Sequence, residues 1–179
     1  QRRCLARNGD LRLRWRTARP DPAVHALYEE YLAWRHPGGG MDEPGDDDFR
    51  RFLIAPWGIS DYLEIWEADT LVAVAVTDVA QDSLSAVYTF WRPTHARRGL
   101  GVFCILQQVE QARRMGLRHL YLGYWIPGHP KMHYKAGFRP MEVLREGRWQ
   151  PLMPDSDPGQ AAGPADRKST RLNSSHANI

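Results

Sequence analysis

The stretch Thr89-Phe90-Trp91-Arg92-Pro93-Thr94-His95-Ala96-Arg97-Arg98-Gly99-Leu100-Gly101 decides the fold, because here a run of strands gives way to a helix. Upstream of it, Ser83 to Trp91 reads as a strand. Leu71 to Val79 and Tyr62-Leu63-Glu64-Ile65-Trp66 flank the turn Ala68-Asp69-Thr70, so they read as a hairpin. Downstream, Pro93-Thr94 opens a helix that carries Leu100, Phe103, Leu106 and Val109 and stops at Met115-Gly116. His119 to Trp125 is a further strand, buried by its Leu, Tyr and Trp content. An antiparallel meander thus hands over to a strand–helix–strand crossover.

Working outward, Leu11 to Thr17 alternates Leu11, Leu13 and Trp15 with Arg12, Arg14 and Arg16, the period of a half-buried strand. Asp21-Pro22 supplies an N-cap acceptor and a first-turn proline, and Val24, Leu27, Tyr28, Tyr31 and Leu32 follow at helical spacing to about Arg35. His36-Pro37-Gly38-Gly39-Gly40-Met41 breaks that helix. Asp46 to Asp48 opens a second short one carrying Phe49, Phe52 and Leu53, with carboxylates where the helix dipole favours them. Lys131 to Ala136 reads as helical with Gly137 as its cap, and Met141 to Leu144 as a last strand. This order resembles the Gcn5-related acetyltransferases and implies an α/β (α+β) class: a mixed sheet flanked by helices on both faces.

Composition sets outer limits. With 179 residues, 42% hydrophobic and 25% charged, the sequence is that of a globular domain with its own core. No apolar run reaches the ~18 residues a membrane-spanning helix needs, so no membrane partner is expected. Cys4 and Cys104 sit in different settings and suggest neither a disulfide framework nor a metal pair, and a reducing cytoplasm is the expected compartment. The domain is expected over residues 1–153, with Gln1 in the interior of a longer chain. Residues 154–165, rich in Pro, Gly, Ala and Asp, are expected to be a disordered tail. Residues 166–179 resemble a translated sequencing-library adapter and are left out of charge arguments.

Several residues carry candidate chemistry. Asp78 interrupts the apolar run Leu71-Val72-Ala73-Val74-Ala75-Val76-Thr77-Asp78-Val79, where a carboxylate needs a partner or a function. Its plain alternative is a strand-end side chain facing water. Tyr88, Tyr121 and Tyr124 alternate on two strands and suit base stacking, or ordinary core packing. Lys131 and Lys135 lie four apart, as if on one face of a short helix with Tyr134 beside them. Two cations so close suit an anion between them; a solvated basic face is the alternative. Arg97, Arg98, Gly99 and Gly101 form a strand-to-helix loop of the kind that presents N–H groups to phosphate, or simply a tight turn with close packing. His36 with Gly38, Gly39 and Gly40 suits a loop at an active-site mouth, with His36 a relay or a helix cap. From Arg92 to Arg139 nine Lys/Arg face one acid, Glu110, an asymmetry that fits an RNA partner.

The words Tyr121-Leu122-Gly123-Tyr124-Trp125-Ile126 and Lys131-Met132-His133-Tyr134-Lys135-Ala136-Gly137-Phe138-Arg139-Pro140 occur together with Val76-Thr77-Asp78-Val79, Leu84 to Phe90 and His36 to Met41. As a set they resemble the C-terminal domain of the arginyl- and leucyl-tRNA–protein transferases, the bacterial leucyl branch above all, from about Gln1 to Leu152. Family members carry a cysteine-rich domain upstream. They also usually have a cysteine before the Lys-Met pair, where this sequence has Pro127-Gly128-His129-Pro130.

The resemblance implies transfer of leucine, or arginine, from aminoacyl-tRNA to proteins that begin with Asp or Glu, a step in N-degron degradation. It implies aminoacyl-tRNA and such proteins as partners, and no cofactor or metal in this chain. The residues that would serve are Asp78, Tyr124 and Lys135 in catalysis. His36, Gly38, Gly39, Gly40, Tyr88, Arg97, Arg98, Gly101, Tyr121, Lys131 and Tyr134 would bind substrate. Two other outcomes stay open: an acetyl-CoA-dependent N-acetyltransferase, against which Ala96 stands where a polar residue is usual, and a non-catalytic tRNA-binding fragment.

Overall fold

The computed structural model describes residues 1–35, 53–54 and 58–152, and the backbone of 175–178. The described chain forms two compact units, Gln1–Arg118 and His119–Ile179.

The first unit begins with a helix absent from the elements read in the sequence, α1 (Arg2–Arg7). Its polar, Arg-rich composition shows no helical apolar period. Tertiary hydrogen bonds hold it instead. Then come β1 (Arg12–Thr17) and α2 (Pro22–Arg35). Asp21 caps α2 as expected: its Oδ1 accepts from the N–H groups of Ala23 at 2.9 Å and Val24 at 3.3 Å. All five apolar residues assigned to this helix face are buried.

The strands β2 (Ile59–Glu67), β3 (Thr70–Val79) and β4 (Ser83–Trp91) follow, and β1-β2-β3-β4 pair antiparallel in that order. Two bulges interrupt the ladders. Ile65 pairs with Ala73 but Trp66 with Leu71, which leaves Val72 extra. Val76 pairs with Tyr88 but Thr77 with Ala86, which leaves Val87 extra.

The first bulge lets Val72 and Ala73 serve one face of the sheet while Leu71, Val74 and Val76 serve the other. On one face α2 packs Val24, Leu27, Tyr28, Tyr31 and Leu32 against Tyr62, Leu71, Val74, Val76 and Phe90. On the other, α3 (Leu100–Arg114) packs Leu100, Phe103 and Cys104 against Leu63, Ile65, Val72, Ala73 and Ala75. The sheet of this unit therefore carries helices on both faces.

The connection from β4 to α3 differs from the expected single helix. Pro93–Arg98 is a 3₁₀ turn, and Gly99 adopts φ +71°, the left-handed conformation glycine tolerates, before α3 starts. The α3 seam also runs elsewhere. Cys104, Gln108 and Ala112 are buried, whereas Leu106 and Val109, assigned to the core by apolarity, are only half-buried.

The second unit holds β5 (His119–Trp125), a 3₁₀ turn His133–Gly137, β6 (Glu142–Arg145), β7 (Arg148–Pro151) and β8 (Ser175–Asn178). Its strand order is β5-β8-β6-β7, each neighbour antiparallel. The sequence reading had neither β7 nor β8; β8 falls in the stretch set aside as adapter-like. The expected helix Lys131–Ala136 is shortened to the 3₁₀ turn. Gly137 lies inside it, and Phe138 in extended conformation ends it. Of the second short helix only Leu53 is described, buried in the core cluster that α2 covers, and most of the 154–179 tail lies outside the described residues.

Candidate functional site

In the first unit, Asp78 sits at the far end of β3, half-buried, directly across from Ser60. The Ser60 hydroxyl donates to Asp78 Oδ1 at 2.6 Å. Among the described residues no cation pairs with this carboxylate. Period two puts Ser60, Tyr62, Glu64 and Trp66 on the same face as Asp78, Val76 and Val74, and Tyr88 joins them across from Val76.

Asp78 and Tyr88 therefore share one face, under α2. Tyr88 makes edge contacts with Tyr28 and Tyr31, with ring centroids 6.1 and 6.2 Å apart. Burial raises its hydroxyl pKa, and the Arg35 charge opposes that. Tyr62 lies deeper still. Burial pushes its hydroxyl up to about 12, and that hydroxyl has no partner among the described residues.

The sequence reading missed Glu64 on this face, 1% exposed and yet ionic. It accepts from Arg14 at 2.7 Å, from Arg16, and from the Trp66 indole at 3.0 Å. The Arg12 and Arg14 guanidiniums stack over Trp66, and Arg16 stacks over Tyr62. The signal was present: Arg12, Arg14 and Arg16 share one face of β1, and strand pairing sets them against Trp66, Glu64 and Tyr62.

The loop at the start of α3 divides the four residues nominated there. Arg97 is exposed. Arg98 is enclosed by its own chain: Nη1 donates to Glu67 at 2.6 Å, Nε to Asn8 at 3.1 Å, and Nη2 to the Arg7 carbonyl at 3.2 Å and to Asp10. Gly99 takes the left-handed turn. Gly101 faces the Trp91 ring, where a Cβ would lie 3.4 Å away in ordinary van der Waals contact.

In the second unit, Tyr124 is 55% exposed at the end of β5 and Lys135 is 9% exposed. The structure ties these two together. Lys135 Nζ donates to the carbonyls of Leu122 at 2.7 Å and Tyr124 at 2.6 Å, on either side of Gly123 with its φ of +74°. Desolvation lowers the Lys135 pKa below the ordinary lysine value.

Lys131 does not share this face: it lies before the 3₁₀ turn and is exposed, so the expected cation pair does not form. Tyr134 is exposed, and Tyr121 packs on Trp149 at 5.6 Å. His36, Gly38, Gly39 and Gly40 lie outside the described residues.

The basic run is also partly neutralised. Arg92 pairs with Glu30 at 2.8 Å, Arg114 with Glu110 at 3.2 Å, and Arg98 with Glu67 and Asp10. Arg97, Arg113, Arg118 and Lys131 are exposed cations with no carboxylate partner among the described residues. Among those residues no helix is long and apolar enough to cross a membrane.

The class is the expected one: an α/β fold of the Gcn5-related acetyltransferase type, with helices on both faces of the first unit's sheet. The chain is similar to a Gcn5-related N-acetyltransferase from Kribbella flavida (TM-score 0.54, 16% identity, covering 93% of this chain and 95% of that one). It is likewise similar to an acetyltransferase from Streptococcus agalactiae 2603 (TM-score 0.52, 13% identity, covering 93% and 96%). At these identities the likeness defines the fold.

Within that class the chain belongs to the arginine-tRNA-protein transferase family, whose C-terminal model matches residues 23–145. Two relatives are the aspartate/glutamate leucyltransferases of Stenotrophomonas maltophilia strain K279a (50% identical, over 88% of this chain and 65% of the relative) and of Xanthomonas axonopodis pv. citri strain 306 (51% identical, over 85% and 63%). The chain thus spans less than two thirds of the length of these relatives.

Proposed function

We propose that this chain is the catalytic part of an aminoacyltransferase. It moves leucine, in preference to arginine, from aminoacyl-tRNA to the α-amine of proteins beginning with Asp or Glu, and so marks them for degradation. The observation that carries this reading is Asp78: a half-buried strand carboxylate held by one neutral hydroxyl, with no cation beside it among the described residues. A buried ion pair would have explained the residue structurally. Without one, the carboxylate is available to hold an incoming ammonium and accept its proton.

The chemistry needs little more. The amine nitrogen bonds to the ester carbonyl carbon, the bond from that carbon to the ribose oxygen breaks, and the tRNA leaves with its hydroxyl restored. The ester is already activated, so positioning meets much of the barrier. An α-amine of pKa about 7.7–8.0 needs only a modest proton acceptor. In this reading no cofactor takes part, and the exposed Arg97 and Lys131 attract tRNA phosphates.

The test is transfer of labelled leucine from leucyl-tRNA, beside arginine from arginyl-tRNA, to peptides starting with Asp, Glu or Ala. Asp78→Ala is expected to lower kcat/KM by about 10²–10⁴-fold, the range for a positioned proton acceptor. A loss under threefold removes Asp78 from the chemistry. A thermal shift with CoA, together with no transfer, favours the acetyltransferase alternative.

A further inference from the structure

The loop nominated for phosphate contact is bound to the α1 segment by an unusually complete set of hydrogen bonds. Three successive carbonyls of the loop are taken. Arg7 Nη1 donates to Arg97 O at 2.7 Å, Asn8 Nδ2 to Arg98 O at 3.1 Å, and the Cys4 thiol to Gly99 O at 3.6 Å. The Asn8 side chain, 1% exposed, also donates to Cys4 O at 2.9 Å and accepts from Arg98 Nε at 3.1 Å, so both ends of its amide are used. Arg98 reaches back to Glu67, Asp10 and the Arg7 carbonyl. The second oxygen of Glu67 faces His95 Nε2 at 3.2 Å, and His95 Nδ1 lies 2.9 Å from the Thr94 hydroxyl.

Two consequences follow from this count. All three guanidinium nitrogens of Arg98 are engaged, and two carboxylates balance its charge, so it offers little to a phosphate. The arginine beside Asp10 likewise holds that carboxyl below its usual pKa. In a planar trans peptide the carbonyl and the following N–H point in opposite directions. Locking the carbonyls of Arg97, Arg98 and Gly99 therefore aims the N–H groups of Arg98, Gly99 and Leu100 away from α1. Of these, Gly99 N–H turns back to Ala96 O at 3.4 Å.

We infer that Asn8 and Arg98 are positioning residues: a latch between the α1 segment and the Pro93–Gly101 loop that fixes the loop backbone for aminoacyl-tRNA without contacting it. This rests on the transfer reading above, and it reassigns Arg98 from phosphate ligand to scaffold. Arg97, exposed beside it, is the contrasting case.

The experiment compares the full chain with Asn8→Ala, Arg98→Lys, Arg98→Ala and Arg97→Ala in three measurements: the salt dependence of leucyl-tRNA affinity, kcat and KM for transfer, and amide exchange along residues 96–104. Lysine keeps a point charge for a phosphate but cannot reproduce the guanidinium fork, which makes Arg98→Lys decisive.

A latch predicts an unchanged salt slope for Asn8→Ala and both Arg98 variants. It predicts kcat at least tenfold lower for Asn8→Ala and Arg98→Lys, with KM within threefold, and faster exchange confined to the loop. Arg97→Ala is expected to lower the salt slope by about one. Near wild-type kcat in Arg98→Lys, with a salt slope reduced by about one in Arg98→Ala, overturns the latch. If the parent chain transfers nothing, the transfer reading falls. Loop exchange then decides alone: faster in Asn8→Ala and Arg98→Lys sustains the latch, and unchanged refutes it. Arg98→Lys also guards against misfolding of the buried Asn8→Ala variant.

Discussion

Replacing Lys135 by methionine keeps the length and apolar stem of the side chain and removes only its ammonium. Two ammonium–carbonyl bonds go with it, at 2.7 Å to Leu122 and 2.6 Å to Tyr124. Charge-assisted bonds contribute about 1.5–3 kcal/mol each, so the pair contributes about 3–6 kcal/mol. Part of this returns, because methionine no longer carries the desolvation that lowers the lysine pKa. Tyr124 is exposed and solvent can replace its lost donor, whereas Leu122 is 5% exposed. One stranded carbonyl costs about 1–3 kcal/mol. A net loss of about 2–3 kcal/mol is expected, or about 5–10 °C in Tm for a chain of this size.

Thermal unfolding at several pH values checks both size and sign. The unfolded chain keeps the lysine proton up to its ordinary pKa and the folded chain releases it earlier. Between those two values the unfolded state binds more protons, so wild-type stability gains an increment as pH rises, and Lys135→Met lacks it. A variant within 0.5 kcal/mol of wild type, with the same pH dependence, refutes the idea that this lysine holds the end of β5.

Three further substitutions test the buried polar groups of the first unit. Glu64→Gln is expected to cost about 2–3 kcal/mol by chemical denaturation, below the 3–5 kcal/mol of a fully buried broken pair. Arg14 is 51% exposed and Arg16 keeps Asp21 at 2.8 Å, so neither charge is stranded. Gln108 donates to Thr77 Oγ1 at 2.7 Å, with its Oε1 unpaired among the described residues. Gln108→Leu or Thr77→Val alone is expected to cost about 1–3 kcal/mol, and the double variant to return within about 1 kcal/mol of wild type, since removing both partners strands neither.

Most of the fold was legible because its signals are local. The α2 face, the β2–β3 hairpin and the strand Ser83–Trp91 rest on period, capping and turn residues, all of which act within a few positions. What escaped was decided at long range. The α1 helix has no apolar stripe; side chains from residues 4–8 bind a loop some ninety positions later. Gln108 takes a core position on α3 because Thr77, on another element, supplies its partner, and nothing in the helix alone distinguishes it from a surface glutamine.

The same limit governs the candidate site. A sequence gives the charge of a side chain but not how many acceptors surround it, and that number decides whether a cation is free to meet an anion. Arg97 and Arg98 are neighbours of identical chemistry, and Lys131 and Lys135 lie in one short motif. Yet each pair divides in the same way. Arg98 and Lys135 are drawn inward by Glu67, Asp10 and Asn8 in one case and by two β5 carbonyls in the other. Arg97 and Lys131 stay exposed. Saturated cations hold backbone in place, and exposed ones attract phosphate from a distance set by the ionic strength. Removing the first kind should alter turnover at any salt concentration, whereas the loss caused by removing the second should shrink as salt rises. Salt dependence therefore separates two roles that look identical in the sequence.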